Sequence, residues 1–121
     1  MSKFLLALSL LLLLLQLPHG RAAKCLKSIP SVKQTQTGFG HPPKFTVTIT
    51  NSCPMCPVIE VHVKCGDFPQ SLVSPMVFRV VRFDDCVANA GLPLAPLQSV
   101  SFNYTHQRFN MAPKSWSYQC E

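Results

Sequence analysis

The sequence predicts an all-β domain, a small antiparallel β-sandwich or Greek key stapled by three disulfides, and three observations lead there. Several short segments alternate apolar and polar residues with the period of two that a half-buried strand requires. No window sustains a 3.6-residue apolar period, and ten of the eleven prolines fall after residue 22, where they break up any long helix. Six cysteines in a chain of 121 residues read as three disulfides, provided the chain is exported.

The first 22 residues supply that condition. Lys3 precedes an apolar run, residues 4–15, interrupted only by Ser9 and brought to an end by Pro18 and Gly20. The run falls short of the roughly 20 residues that span a bilayer. Its charge, apolar stretch and small-residue exit at Gly20-Arg21-Ala22 match a secretory signal peptide, with cleavage expected after Ala22. Residues 23–121 then form one domain, with no later segment apolar enough for an anchor, so no membrane association is expected once the leader is gone. The positive mean hydropathy of the whole chain mostly reflects the leader.

All six cysteines, Cys25, Cys53, Cys56, Cys65, Cys86 and Cys120, lie beyond that cleavage point. Fifteen pairings are open, and the sequence does not choose among them. Cys53-Pro54-Met55-Cys56 has the spacing of a redox or zinc motif. Pro57 and a β-type pattern follow it, so no helix starts there as a thioredoxin-type site demands. A structural zinc site wants a second close pair, and the other cysteines stand singly. No metal or cofactor is expected. Structural disulfides are the reading that remains, with Cys53 and Cys56 bonded to each other or to separate partners.

The strands follow in order. A weaker candidate covers residues 29–36. Residues 45–50 alternate strictly, with Phe45, Val47 and Ile49 on one face and three threonines on the other. Residues 58–64 repeat the pattern, with Ile59, Val61 and Val63 inward and Glu60, His62 and Lys64 outward; the turn between them predicts a hairpin. Residues 76–83 form a more buried candidate, with Met76, Phe78 and Val80 on one face. Val100, Phe102 and Tyr104 alternate in another, and Trp116 and Tyr118 in the last. Residues 38–43 and 90–96 read as loops.

Residues 23–121 carry nine basic and five acidic side chains, a net charge of +4. The cations are scattered along the sequence and do not interleave with aromatics, so a nucleic-acid partner is not expected. An anionic receptor face or polysaccharide suits the charge better. Asp84 and Asp85 are adjacent, and adjacent strand residues point to opposite faces, which is wrong for a glycosidase pair. A turn or cap beside Cys86 is the expected use. His62 sits on a polar strand face, where a surface histidine is the default. With every cysteine paired and no G-x-S-x-G setting, no catalytic site is expected. Asn103-Tyr104-Thr105 is a glycosylation sequon with Asn103 on a polar strand face; Asn51-Ser52-Cys53 is a poorer acceptor.

Several motifs recur together along the chain. They are Ile29, Val32 and Gln34; the run Phe45 through Cys53 with Cys56; and Val61-His62-Val63-Lys64-Cys65-Gly66 with Phe68. Pro75 with Val77-Phe78-Arg79 comes next, then Phe83-Asp84-Asp85-Cys86-Val87 with Asn89, Gly91 and Pro93-Leu94, then Val100-Ser101-Phe102 with Tyr104, and finally Cys120. In this order they resemble the plant tapetum determinant family of small secreted cysteine-rich proteins, over nearly all of residues 23–121. The resemblance implies an extracellular (apoplastic) signal that binds a leucine-rich-repeat receptor kinase ectodomain and directs cell fate in the anther, with the six cysteines as its frame. Loop residues Phe39, Phe68 and Leu92 are the candidate receptor contacts. Departures from the founding member's pattern are the missing long region before Cys25, the stretch Asp67-Phe68-Pro69-Gln70 and the segment before Cys120. They suggest a short paralogue. The alternative is a secreted cell-wall or polysaccharide-binding module without catalysis.

Overall fold

A computed structural model describes residues 25–120. The expected leader and its cleavage point lie outside the described residues. Seven strands form two antiparallel sheets: β1 (Ser31–Gly38), β2 (Lys44–Thr50), β3 (Val58–Lys64), β4 (Phe78–Arg82), β5 (Asp85–Ala88), β6 (Ser99–Thr105) and β7 (Ala112–Tyr118). One sheet has the order β1-β2-β6 and the other β4-β5-β3-β7. The chain crosses between the sheets after β2, β5 and β6, so the expected antiparallel sandwich is what forms, with one strand more than the sequence pattern showed.

The inner faces meet in one core. Phe45, Val47, Ile49, Phe102 and Tyr104 come from the first sheet, and Val58, Val61, Val63, Phe78 and Ala88 from the second. Phe68, from the loop after β3, fills the centre. Its ring meets Phe78 and Tyr104 edge-on with centroids 5.3 Å away, and Phe109 at 5.0 Å. It is only 2% exposed. Truncating a phenylalanine so placed costs about 3–5 kcal/mol. Phe68 is therefore a stability residue, which corrects its candidacy as a surface contact.

Three strand-level expectations also change. Strands β2 and β3 are not a hairpin: β2 pairs with β1 and β6, while β3 pairs with β5 and β7. Each carries one fully apolar face, and placing them in opposite sheets buries both faces against a shared core. In β3 the alternation slips at Glu60, whose φ is +50°, and the register with β7 shifts there. That bulge turns Val58 into the core and leaves Ile59 half-buried, a one-residue change of face. Strand β4 is an edge: only Phe78 in it is buried, and Met76 lies before it at 67% exposure. The buried neighbour is β5, every residue of which is buried.

The disulfides join Cys25 to Cys53, Cys56 to Cys120 and Cys65 to Cys86. Cys53 and Cys56 thus take separate partners, and the crossover between β2 and β3 becomes a clasp holding the first and last described segments. The Sγ atoms of Cys25, Cys56 and Cys120 lie within 4.8 Å of one another, but each is spent in a disulfide and offers no thiolate to a metal. Closing loops of 28, 64 and 21 residues contributes about 3–4.5 kcal/mol each on the chain-entropy account. Cys65–Cys86 instead ties β3 to β5 within one sheet.

This pairing makes a sharp prediction for cyanogen bromide cleavage of the unreduced protein after Met55, Met76 and Met111. The peptide ending at Met55 holds both Cys25 and Cys53, so it is released without reductant. The other three peptides stay joined through Cys56–Cys120 and Cys65–Cys86 until reduced. Retention of the first peptide in the disulfide-linked assembly would overturn the pairing.

Candidate functional site

The sandwich has two unlike ends. At one, the clasp gathers Cys25, Cys53, Cys56 and Cys120 near the end of β2. At the other, 20 Å or so along that seven-residue strand, four connections meet: the turn 39–43, the loop 65–67, the Phe83-Asp84 turn and the loop 106–111. Hydrogen bonds fix their positions. Asp84 has a φ of +60°, and its carboxylate accepts from the backbone N–H groups of Cys65 (3.1 Å) and Gly66 (2.9 Å). That clamps the β4–β5 turn onto the end of β3 and leaves Phe83 projecting at 74% exposure. The backbone N–H of His106 donates to the Pro43 carbonyl at 3.0 Å. Tyr104 donates to the Gln34 Oε1 at 2.5 Å and accepts from the Phe109 N–H at 3.1 Å, while Gln34 Nε2 donates to the Phe109 carbonyl at 2.6 Å. This closed ring of three residues pins the 106–111 loop to β1 and β6. Burial pushes the Tyr104 phenol up from its usual range, so it keeps its proton and its donor role.

Three of these connections, all but the turn 39–43, enclose a cleft of about 500 Å³ lined by Lys64, Asp67, Phe83, Asp84, Arg108 and Asn110 among others. Lys64 and Arg108 are both exposed, and among the described residues neither has a carboxylate within 4.0 Å. Arg82 and Lys114 stand close by, reaching Asp85 at 3.5 and 3.9 Å. The cations scattered along the sequence are thus drawn together, four of them around one turn. The single signal for this in the sequence was the outward alternation of Lys64; joining it to Arg108 and Lys114 requires the strand order. A cleft with paired cations, a carboxylate, an amide and an open aromatic face has the chemistry of a binding site for a polar, anionic group.

Beside it lies a buried ion pair. Asp85 opens β5 fully buried, and its Oδ1 is 2.6 Å from His62 Nδ1 on β3. An ionised carboxylate only accepts, so Nδ1 carries the proton. Nε2 of His62 is 3.4 Å from Glu60 Oε2. The His62 hydrogen bond holds the Asp85 carboxyl below the usual carboxylate range, helped by the charges of His62, Lys114 and Arg82, while burial opposes them. His62 is half-buried and paired rather than a free surface histidine. The adjacent carboxylates divide their work: Asp84 forms the expected turn and Asp85 anchors a strand.

The remaining candidates are dispersed. Phe39 projects at 79% exposure from the β1–β2 turn at the cleft end, and Leu92 at 57% near the clasp end, two residues before the Leu94 that bonds to Val58 and Asn51. The two do not share a surface. Asn103 lies exposed on the outer face of the three-stranded sheet, where its Oδ1 accepts from the Thr46 hydroxyl at 2.6 Å. Its Nδ2 makes no hydrogen bond among the described residues. Around it Thr48 with Ser101, and Thr50 with Ser99, form hydroxyl pairs across the strands. Among the described residues no helix is long and apolar enough to cross a membrane.

Comparison with known proteins gives a family match. The family model described as "Tapetum determinant 1, C-terminal" matches residues 26–121. An uncharacterized protein of Arabidopsis thaliana is 51% identical over 123 residues, covering 98% of this chain and 96% of its own length. "TPD1 protein homolog 1" of the same plant is 50% identical over 66 residues, and "TPD1 protein homolog 1B" of Oryza sativa subsp. japonica is 40% identical over 65. Each match covers 53% of this chain but only 37% and 38% of the respective homologues, so the shared part is little more than a third of their length. No solved structure matches.

The Asp85–His62 pair sets an acid-sensitive stability. A carboxyl whose folded-state pKa lies below its unfolded value of about 3.9 adds stability above that pH, and the contribution drains away as pH falls through the folded value. Asp85→Asn is expected to lower stability by about 2 kcal/mol at pH 6, roughly a 10 °C drop in Tm for a domain this size. The gap between variant and parent should narrow below about pH 4. Thermal melts followed by circular dichroism at pH 6 and pH 3 check this; a gap of equal size at both values would remove the ion pair from the account.

Proposed function

The chain belongs to the tapetum determinant family, and from that premise we propose that it is exported to the apoplast and acts there as a ligand for a leucine-rich-repeat receptor kinase ectodomain. Membership itself suggests a role in tapetum and anther development; the receptor, the export and the signalling activity are the finer reading. The observation that carries it is the family match across residues 26–121, nearly all of the folded part. Three disulfides in a domain of this size support an oxidising destination. They also hold the loops rigid, which lowers the entropy lost on docking.

Phe39 and Leu92 serve as alternative anchors. They stand at opposite ends of the sandwich, about 20 Å apart along β2, so the desolvated centre of one interface holds only one of them. Asn103 carries an N-linked glycan in this reading, on the outer face of the three-stranded sheet.

Binding of the oxidised, secreted protein to a panel of plant leucine-rich-repeat ectodomains tests the proposal. Saturable binding to one member, abolished by reduction and alkylation, is expected. One of Phe39→Ala and Leu92→Ala, and not both, then weakens that binding by about tenfold or more. Silence across a panel whose controls bind would count against a receptor ligand. For the glycan, an electrophoretic shift on enzymatic deglycosylation is expected from the parent and not from Asn103→Gln; identical mobility of all samples would leave the sequon empty.

A further inference from the structure

Three loops at the open end, with the end of β3, bring together residues that the receptor reading does not use. Lys64 comes from the end of β3, Asp67 from the loop after it, Phe83 from the β4–β5 turn, and Arg108 and Asn110 from the loop before β7. No acidic neighbour pairs directly with either cation. Asp84 has committed its carboxylate to the N–H groups of Cys65 and Gly66. Asp85 is buried against His62, Arg82 and Lys114. The cleft therefore offers two cations that no carboxylate engages among the described residues, and each can pair with an anionic group of a ligand.

Phe83 narrows the choice. An aromatic ring at 74% exposure is held outward by the clamped turn behind it and cannot fold back onto the core. Its open face suits the C–H face of a sugar ring. Asp67 narrows it further, because its carboxylate has no hydrogen-bond or ion-pair partner among the described residues and lies within the same cleft. A second negative charge repels densely charged sulfate or phosphate groups, yet it accepts hydrogen bonds from hydroxyls. Asn110 adds one donor group and one acceptor. The volume, about 500 Å³, falls in the range of small-ligand clefts and is far below a protein-sized footprint.

We infer that this cleft binds an acidic sugar: a uronate residue of an oligosaccharide pairs its carboxylate with Lys64 and Arg108, lays one ring face on Phe83, and bonds its hydroxyls to Asp67 and Asn110. The walls are set in advance by the Gln34–Tyr104–Phe109 ring and the Asp84 clamp, so little ordering remains to be done on binding. This site stands apart from the receptor proposal and survives its failure.

The test is titration of the ¹⁵N-labelled, oxidised protein with trigalacturonate, with neutral galactotriose, hexaglutamate and dextran sulfate as comparison probes, at physiological salt. Trigalacturonate is expected to saturate, with amide shifts concentrated at Gly66, Asp67 and Asn110. Lys64→Gln and Arg108→Gln should each weaken it by about tenfold, the loss of one charged hydrogen bond, and Phe83→Ala by at least several-fold. All three side chains are exposed, so the variants should keep the parent's melting temperature and disulfide pairing, which is checked alongside. Equal binding of galactotriose, or no saturable binding of trigalacturonate, overturns the site. Binding of hexaglutamate or dextran sulfate as tightly as the uronate, unaffected by Phe83→Ala, overturns it in favour of simple charge attraction.

Discussion

The side chain of Asn51 holds the place where this chain leaves one sheet for the other. It is fully buried, and its Nδ2 donates to the carbonyls of Cys56, Leu94 and Ala95 at 2.9, 3.1 and 3.1 Å. Its Oδ1 accepts from the Cys53 N–H at 2.9 Å. Two amide hydrogens serve three carbonyls, so at least one bond is shared. A buried carbonyl without a donor costs about 1–3 kcal/mol, and removing this amide leaves the Cys56 carbonyl in that state, while those of Leu94 and Ala95 keep the N–H groups of Val58 and Gln98. An apolar residue of similar size has no way to replace it. The bond to Cys53 and the bond to Cys56 hold the four-residue cysteine loop in shape, and that loop presents Cys53 to Cys25 and Cys56 to Cys120. The bonds to Leu94 and Ala95 hold the connection from β5 to β6 against the same point. One side chain thus sets two crossovers and the geometry of two disulfides. Its burial also takes the Asn51-Ser52-Cys53 sequon out of reach of any glycan.

Gly91 is the second place where the family motif has a physical reason. Its φ is +78°, within a turn where Asn89 and Ala90 are also left-handed. A Cβ there would sit 2.6 Å from Glu60 Oε1. Glu60 is in turn the bulge residue of β3, and its carboxylate faces His62. The bulge, the tight turn and the His62–Asp85 pair are therefore neighbours that constrain each other. The Asp-Asp-Cys-x-x-Asn-x-Gly-x-Pro-Leu run is mostly framework, from the clamp at Asp84 through the ion pair at Asp85 and the disulfide at Cys86 to the bridge at Leu94.

Much of the fold was legible in the residues because β2, β6 and β7 alternate with a period that admits few readings. The alternation says which face of a strand is apolar, but it is silent about which strand lies beside it. The expected β2–β3 hairpin failed on that silence, since two strands joined by a short link fit one sheet or two equally well by pattern. Strand β5 was missed because four residues beginning with a charge give no detectable period; its burial comes from its place between β3 and β4. Phe68 looked like a loop residue and is one by backbone, yet the core is short of an aromatic at its centre and the loop supplies it. For the site, Phe39 and Leu92 were recognisable as exposed loop apolars, and their separation was not. The cleft was invisible because its parts lie in three loops and the end of β3, brought together only by strand order and by the hydrogen bonds that Asp84 accepts and that Gln34 and Tyr104 make.

The cysteine clasp and the open cleft occupy opposite ends of this molecule. The clasp, Asn51 and the turn at Gly91 act near one end, where Cys25, Asn51, Cys53, Cys56 and Leu94 are buried and a change at Asn51 is felt through several bonds at once. At the other end Lys64, Phe83 and Arg108 are exposed and make few bonds to the rest of the protein, so they contribute little to folding. The backbone beneath them is nonetheless fixed, by the Asp84 clamp, the Tyr104 ring and the Cys65–Cys86 bond. Side chains on such a platform are free to differ without a folding penalty, while their positions stay defined to within the rigidity of the loops. A small cysteine-framed domain with that division tolerates changes at a few exposed residues while keeping one architecture. Of the four cations gathered at this open end, Arg82 and Lys114 reach the buried carboxylate of Asp85, so the fold itself accounts for those two, while Lys64 and Arg108 pair with no carboxylate among the described residues.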